Sequence, residues 1–192
     1  MSSETTPPPA RSPAQTSIAR RCAGSSVAGS VSDEPTPAAS GSTAMASRPA
    51  TPGGDGSNGR LPPEALAAIS WDTDPRGTPY YLTTAAAAAL ERLDGAFRAE
   101  FGHHLDLDLT YRDYDTQVAM RAALGSVAAT PGTSSHGTGL ALDVPELPCE
   151  YGWDTPQRDW LITKGPAYGW VSPAWAGRGG SNPEYWHFEF RG

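Results

Sequence analysis

Every Trp, Tyr, Phe and Leu of this 192-residue chain lies after residue 60. Side chains of that size supply most of the apolar area a core buries, so the fold has to be assembled from residues beyond that point. Residues 1–60 are mostly Ser, Ala, Pro, Gly and Thr, and such a segment cannot offset the entropy lost on ordering. The composition therefore predicts a disordered low-complexity tail over 1–60 and one folded domain over 61–192, of ordinary domain size. Charge divides at the same place. The tail carries five basic and four acidic residues, net +1; the chain total is −7, which leaves −8 for the remainder. An acidic domain without a basic run argues against nucleic acid and anionic membrane as partners. No apolar run reaches the ~18 residues of a membrane span.

The pattern after residue 60 predicts an α+β fold, with helices packed on a small, mostly antiparallel sheet, read here as a monomer. Pro63 to Ile69 suggests a short helix with Pro in its first turn. A long helix starts at Thr83 or Thr84 and runs to Glu100, with Leu90, Leu93 and Phe97 on one face and Gly102 as its stop. Leu105-Asp106-Leu107-Asp108-Leu109 alternates like a half-buried strand. A helix over Gln117–Leu124 comes next, capped by Asp113 or Asp115 and ended by Gly125. Leu140–Val144 reads as a strand, Gln157–Lys164 as a third helix, Tyr168–Val171 as a short strand and Trp186–Phe190 as a last one. Alternation in that last strand turns Trp186, Phe188 and Phe190 to the core and His187 and Glu189 to the opposite face.

Two segments carry the chemistry. Ser134-Ser135-His136-Gly137-Thr138-Gly139-Leu140-Ala141-Leu142-Asp143 holds a histidine and an aspartate, and Glu184-Tyr185-Trp186-His187 holds a glutamate and a histidine. Imidazole and carboxylate are good zinc ligands, and a catalytic zinc site needs three of them with one position open. His136, Asp143 and His187 are the candidate ligands and Glu184 the candidate base. By residue type alone, a plain hydrogen-bonded network of the same side chains is an equal alternative. His103 and His104, lacking a carboxylate at ligand spacing, read as helix-end residues beside the dipole.

Ser134-x-His136-x-x-Gly139-x-Ala141-x-Asp143 followed by Glu184-x-Trp186-His187 resembles the signature of the zinc D-alanyl-D-alanine carboxypeptidases of the VanY type. Tyr111-Arg112-x-Tyr114-x-x-Gln117 is similar to that family's Tyr-Arg…Gln segment. The likeness spans about residues 80–192. It implies a zinc peptidase acting on peptidoglycan stem peptides, with His136, Asp143 and His187 on the metal, Glu184 as base and Arg112 holding the oxyanion. It also implies substrate contacts for Ser134 and Gln117. Rival readings are a cell-wall endopeptidase that shares every ligand, and a non-catalytic cell-wall binding domain of the same fold.

Individual residues keep plainer alternatives. Arg112 could pair with Asp113 or Asp115 at the surface, Ser134 could be a turn residue, and Gln117 could steady the Arg112 loop. Trp186 reads as core. Cys22 and Cys149 do not form a disulfide framework and are expected to be free thiols. The implied substrate lies outside the cytoplasmic membrane. No export signal is legible, since Arg20-Arg21 is followed by a stretch too polar for a signal core.

Overall fold

The computed structural model describes residues 54–192. The expectations for residues 1–53, Cys22 included, lie outside the described residues. Cys149 is not a free thiol; it is disulfide-bonded, which corrects the reading of two free cysteines.

Helix α1, Thr84–Phe101, is the longest element. Its Ala-rich first turns favour helix, and its apolar stripe places Leu90, Leu93 and Phe97 at no more than 1% exposure. Thr83 is the N-cap residue by backbone geometry, with no side-chain capping bond. Gly102 ends the helix at φ 81°, a conformation that favours glycine, and its N–H bonds to the Arg98 carbonyl.

Strands β1, Leu66–Thr73, and β2, Pro79–Thr83, form an antiparallel pair. The turn between them is tied by Asp74, whose Oδ1 accepts from the N–H groups of Arg76 and Thr78. The helix expected over 63–69 is limited to one 3-10 turn, Pro63–Ala65. Ile69 is β-branched and buried while Ala68 and Ser70 are exposed, so a period of two wins once β2 is there to pair with.

Residues 105–109 differ from expectation in another way. Leu105 and Leu107 are buried as predicted, yet only Leu109 makes a bridge, to Asp143. Side chains have taken the first three backbone donors: Leu105 N–H bonds to Asp94, Asp106 N–H to the Tyr151 hydroxyl and Leu107 N–H to Asp72. The alternation is real, but the neighbouring strand, Ala141–Asp143, pairs only its last residues, through Asp143.

Helix α2, Tyr114–Leu124, is capped by Asp113, which accepts from Thr116 N–H at 2.6 Å. Helix α3, Pro156–Lys164, is capped by Thr155. The second sheet has three antiparallel strands in the order β3-β5-β4: Ala141–Asp143, His187–Phe190 and Trp170–Val171. Asp143 stands opposite His187, Leu142 opposite Phe188 and Ala141 opposite Glu189. Leu142, Phe188 and Trp170 meet Leu93 of α1 and Leu161 of α3 around the same apolar centre. Phe97 sits edge-on to Trp160 at 5.5 Å. A fully buried leucine of this kind contributes roughly 2 kcal/mol. The apolar half of the sheet is thereby fixed, which leaves the alternate side chains of β3 and β5 for the other face.

Residues 54–60 belong to the tail by composition, but here they are hydrogen-bonded into the domain. Gly59 N–H bonds to the Gly137 carbonyl at 2.7 Å, Tyr114 N–H bonds to the Gly59 carbonyl at 2.8 Å, and the Asn58 amide donates to the Ser134 carbonyl at 2.8 Å. The turn that bears His136 is clamped from outside.

Candidate active site

The His136 turn is a short 3-10 segment, Ser135–Thr138, closed by Gly139 at φ 66°. A side chain at 139 would also press on Leu61 and Thr83 at 3.0 to 3.2 Å, so both the backbone and the packing call for glycine there. His136 is 5% exposed. Its Nδ1 donates to the Thr110 carbonyl at 2.9 Å, which fixes the tautomer and leaves Nε2 as the lone-pair nitrogen, 3.2 Å from Asp143 Oδ2. On β5, His187 points Nδ1 at Asp143 Oδ1, 2.8 Å away, while its Nε2 lies 3.3 Å from Ser135 Oγ and 3.5 Å from Glu189 Oε1. The two imidazole rings meet edge to face at 5.1 Å.

Cross-strand pairing explains this convergence. Asp143 and His187 are opposed residues of an antiparallel ladder, so their side chains leave the sheet on one face. One ligand atom from each of His136, Asp143 and His187 lies within 4.8 Å of the others. Nitrogen and oxygen ligands held ~2.1 Å from a tetrahedral zinc stand ~3.4 Å from one another, close to the 2.8 and 3.2 Å seen between Asp143 and its two histidines. Two imidazoles, one of them oriented by a backbone carbonyl, and one carboxylate form a donor set that fits zinc.

Electrostatics agree with the geometry. Burial would raise the Asp143 carboxyl, but the imidazoles of His136 and His187 outweigh it and hold the group well below the ordinary carboxylate range. Burial likewise opposes a charged His187, yet its hydrogen bond to Asp143 and the nearby carboxylates push its pKa up. The site draws positive charge to itself.

These residues open into a cleft of about 690 Å3 that Arg112, Ser134, Glu146, Glu184 and Trp186 also line. Glu184 is half-buried; burial raises its carboxyl above the usual 4.5, with His187 pulling the other way. Its Oε1 accepts from the Asn182 amide at 2.6 Å. Arg112 is 7% exposed, and burial lowers its pKa. Its Nη2 donates to Ser134 Oγ at 2.8 Å, while its Nε is buried with no partner. It does not pair with Asp113, which caps α2 instead.

Gln117 is 2% exposed and is not among the cleft-lining residues; its amide nitrogen donates to the Ala129 carbonyl at 2.6 Å. Trp186, expected in the core, is half-buried and lines the cleft, with its ring 4.8 Å from that of Tyr185. It precedes the first residue of β5, so strand alternation does not reach it.

Three contributors carry little or no mark in the sequence. Glu189 has a signal, since it lies two residues beyond His187 on the same strand face. Glu146 lies in a loop with no periodicity to flag it. The Thr110 carbonyl that orients His136 is backbone and has no sequence signature.

The family described as VanY: D-alanyl-D-alanine carboxypeptidase matches residues 79–192. No curated protein matches the chain. Among solved structures, the LdcB LD-carboxypeptidase is 23% identical with a TM-score of 0.51, over 71% of this chain and 75% of that one. The vancomycin-resistance D,D-dipeptidase VanXYg, solved with a D-Ala-D-Ala phosphinate analog, is 21% identical with a TM-score of 0.50, over 67% and 56%. At these identities the two structures speak for a shared fold alone.

Proposed function

The chain belongs to the VanY family of D-alanyl-D-alanine carboxypeptidases, and on that premise we propose that it removes the terminal D-alanine from peptidoglycan stem peptides. The working unit is a zinc peptidase domain over 61–192, acting outside the cytoplasmic membrane as a monomer. Among the described residues, no helix is long and apolar enough to cross a membrane. One observation carries the reading: His136, Asp143 and His187 converge in the same cleft that presents Glu184 and Arg112.

His136 through Nε2, Asp143 through its carboxylate and His187 through Nδ1 would hold the ion. Zinc there supplies Lewis acidity and brings the pKa of water toward ~7. Glu184 takes the proton from the attacking water and returns it to the leaving amine. The elevation of its pKa by burial suits both halves of that task, because a proton shuttle works best near the operating pH. Arg112 is the donor for the developing oxyanion. Its guanidinium is steadied by Ser134, and its fixed position needs no reorganisation as charge builds on the substrate. Ser134 thus serves the substrate through Arg112, and Gln117 serves it by fixing the loop that carries Ala129. Glu189 beside His187 Nε2 orients that imidazole, as carboxylates commonly do for ligating histidines.

Mass spectrometry of muropeptides tests the assignment. A stem pentapeptide ending in D-Ala-D-Ala should lose one alanine with the wild-type chain and none with Glu184→Ala. Cleavage inside the stem would replace the carboxypeptidase reading with an endopeptidase. Equal hydrolysis by Glu184→Ala would remove Glu184 from its role.

A further inference from the structure

We propose that His103, Asp106 and Glu150 form a second cation site, which takes a divalent ion of the zinc class and ties the end of α1 to the loop after β3. One ligand atom from each lies within 4.8 Å of the others. None of the three lines the catalytic cleft, so this inference is independent of the function proposed above.

The arrangement around each residue points to a ligand. His103 comes directly after the left-handed Gly102 that stops α1. Its Nδ1 donates to the His104 carbonyl at 2.8 Å. That bond fixes the tautomer and leaves Nε2 with its lone pair, the same device that orients His136. The ring is seated against Phe97, edge-on at 5.5 Å, and Phe101 at 6.4 Å. Asp106 Oδ2 accepts from the Tyr151 hydroxyl at 3.2 Å, and Tyr151 is fully buried, so this carboxylate is anchored to the core. Glu150 precedes Tyr151 and approaches from the other loop.

Charge on this group favours a cation. Among the described residues, no Lys or Arg forms an ion pair with Asp106 or Glu150. A neutral imidazole with two carboxylates carries −2, which a divalent cation balances. The imidazole favours zinc, nickel or cobalt over calcium and magnesium, which take oxygen ligands. His103 is exposed and the two carboxylates are half-buried, which gives an ion a path in.

Zinc stoichiometry of the full chain tests this. The protein is stripped with chelator, reloaded with Zn(II) alone, desalted and measured by elemental mass spectrometry. Wild type should hold two equivalents, and His103→Ala and His187→Ala one each. In the His187→Ala background, Glu150→Gln should weaken the remaining ion by about 10-fold or more, a loss at least as large as that on removing an outer-sphere partner. Circular dichroism establishes that each variant is folded. A wild type whose bound zinc is not reduced by His103→Ala, or undiminished binding after Glu150→Gln, overturns the proposal. Ca(II) bound more tightly than Zn(II) in the His187→Ala chain would overturn the ion class. Loss of the cleft equivalent with the second retained would count against the catalytic reading alone.

Discussion

Replacing Gly137 with alanine probes the clamp on the His136 turn. A Cβ at 137 would fall well inside van der Waals contact distance of Asn58 Oδ1, 2.8 Å from Asn58 Cγ and 2.9 Å from Gly59 N. The contacts with Gly59 involve backbone, which cannot rotate away, so residues 58–59 must move. Movement breaks two hydrogen bonds: the Asn58 amide to the Ser134 carbonyl and Gly59 N–H to the Gly137 carbonyl. Each contributes about 1 kcal/mol net, and a carbonyl left unpaired adds a further 1–3 kcal/mol. The expected loss is therefore about 3–5 kcal/mol. For a domain of this size that lowers Tm by about 10 °C. Urea unfolding of the chelated protein measures it without the contribution of bound metal. Asn58→Ala removes the first clash, so Gly137→Ala should cost less in that background, with a coupling of about 1 kcal/mol or more. A Gly137→Ala protein within about 0.5 kcal/mol of wild type would refute the clamp.

Arg112→Ala should lower kcat by about 10²–10³, the usual cost of one oxyanion donor, with cleft zinc unchanged. Elemental analysis showing zinc lost from that variant would mean that Arg112 holds the metal site together instead. The acid limb of kcat/KM should fall above pH 4.5, because Glu184 must be deprotonated to act and burial raises its pKa; a pH–rate profile with its limb at or below 4.5 removes this assignment. The same shift has a consequence for stability. Because the folded-state pKa lies above the unfolded one, folding favours the protonated form, and that contribution is lost as pH rises. Glu184→Gln should therefore raise Tm at neutral pH while abolishing turnover, and an unchanged or lower Tm would contradict it. Chelation should abolish hydrolysis and added zinc restore it in wild type; His187→Ala should not recover at any zinc concentration tested.

Long periodic elements were the legible part of the fold. The Leu90, Leu93 and Phe97 stripe specifies α1 because three large apolar side chains on one helical face have a single way to be buried. The alternation about Asp143 and His187 likewise shows which side chains leave the sheet together. Legibility fails where partners are distant in sequence. Leu66–Ile69 has a composition that suits a helix, and only the opposing β2 decides for strand. Leu105–Leu109 alternates correctly, but Asp94, Asp72 and Tyr151 take the donors of its first three residues, and no local pattern announces them. Asn58 and Gly59 look like tail because their role is carried by an amide and a backbone N–H, neither of which adds apolar surface.

Because Asp143 and His187 face each other across the β3–β5 ladder, slipping either strand by one residue would send one donor to the far side of the sheet. Ion capture thus reads out whether the strands have paired in the right alignment. A captured ion in turn acts as a rivet against slippage between strands that are only three and four residues long. Catalytic competence and correct strand alignment are then acquired in a single event, and a misaligned chain would be recognisable by its failure to retain metal.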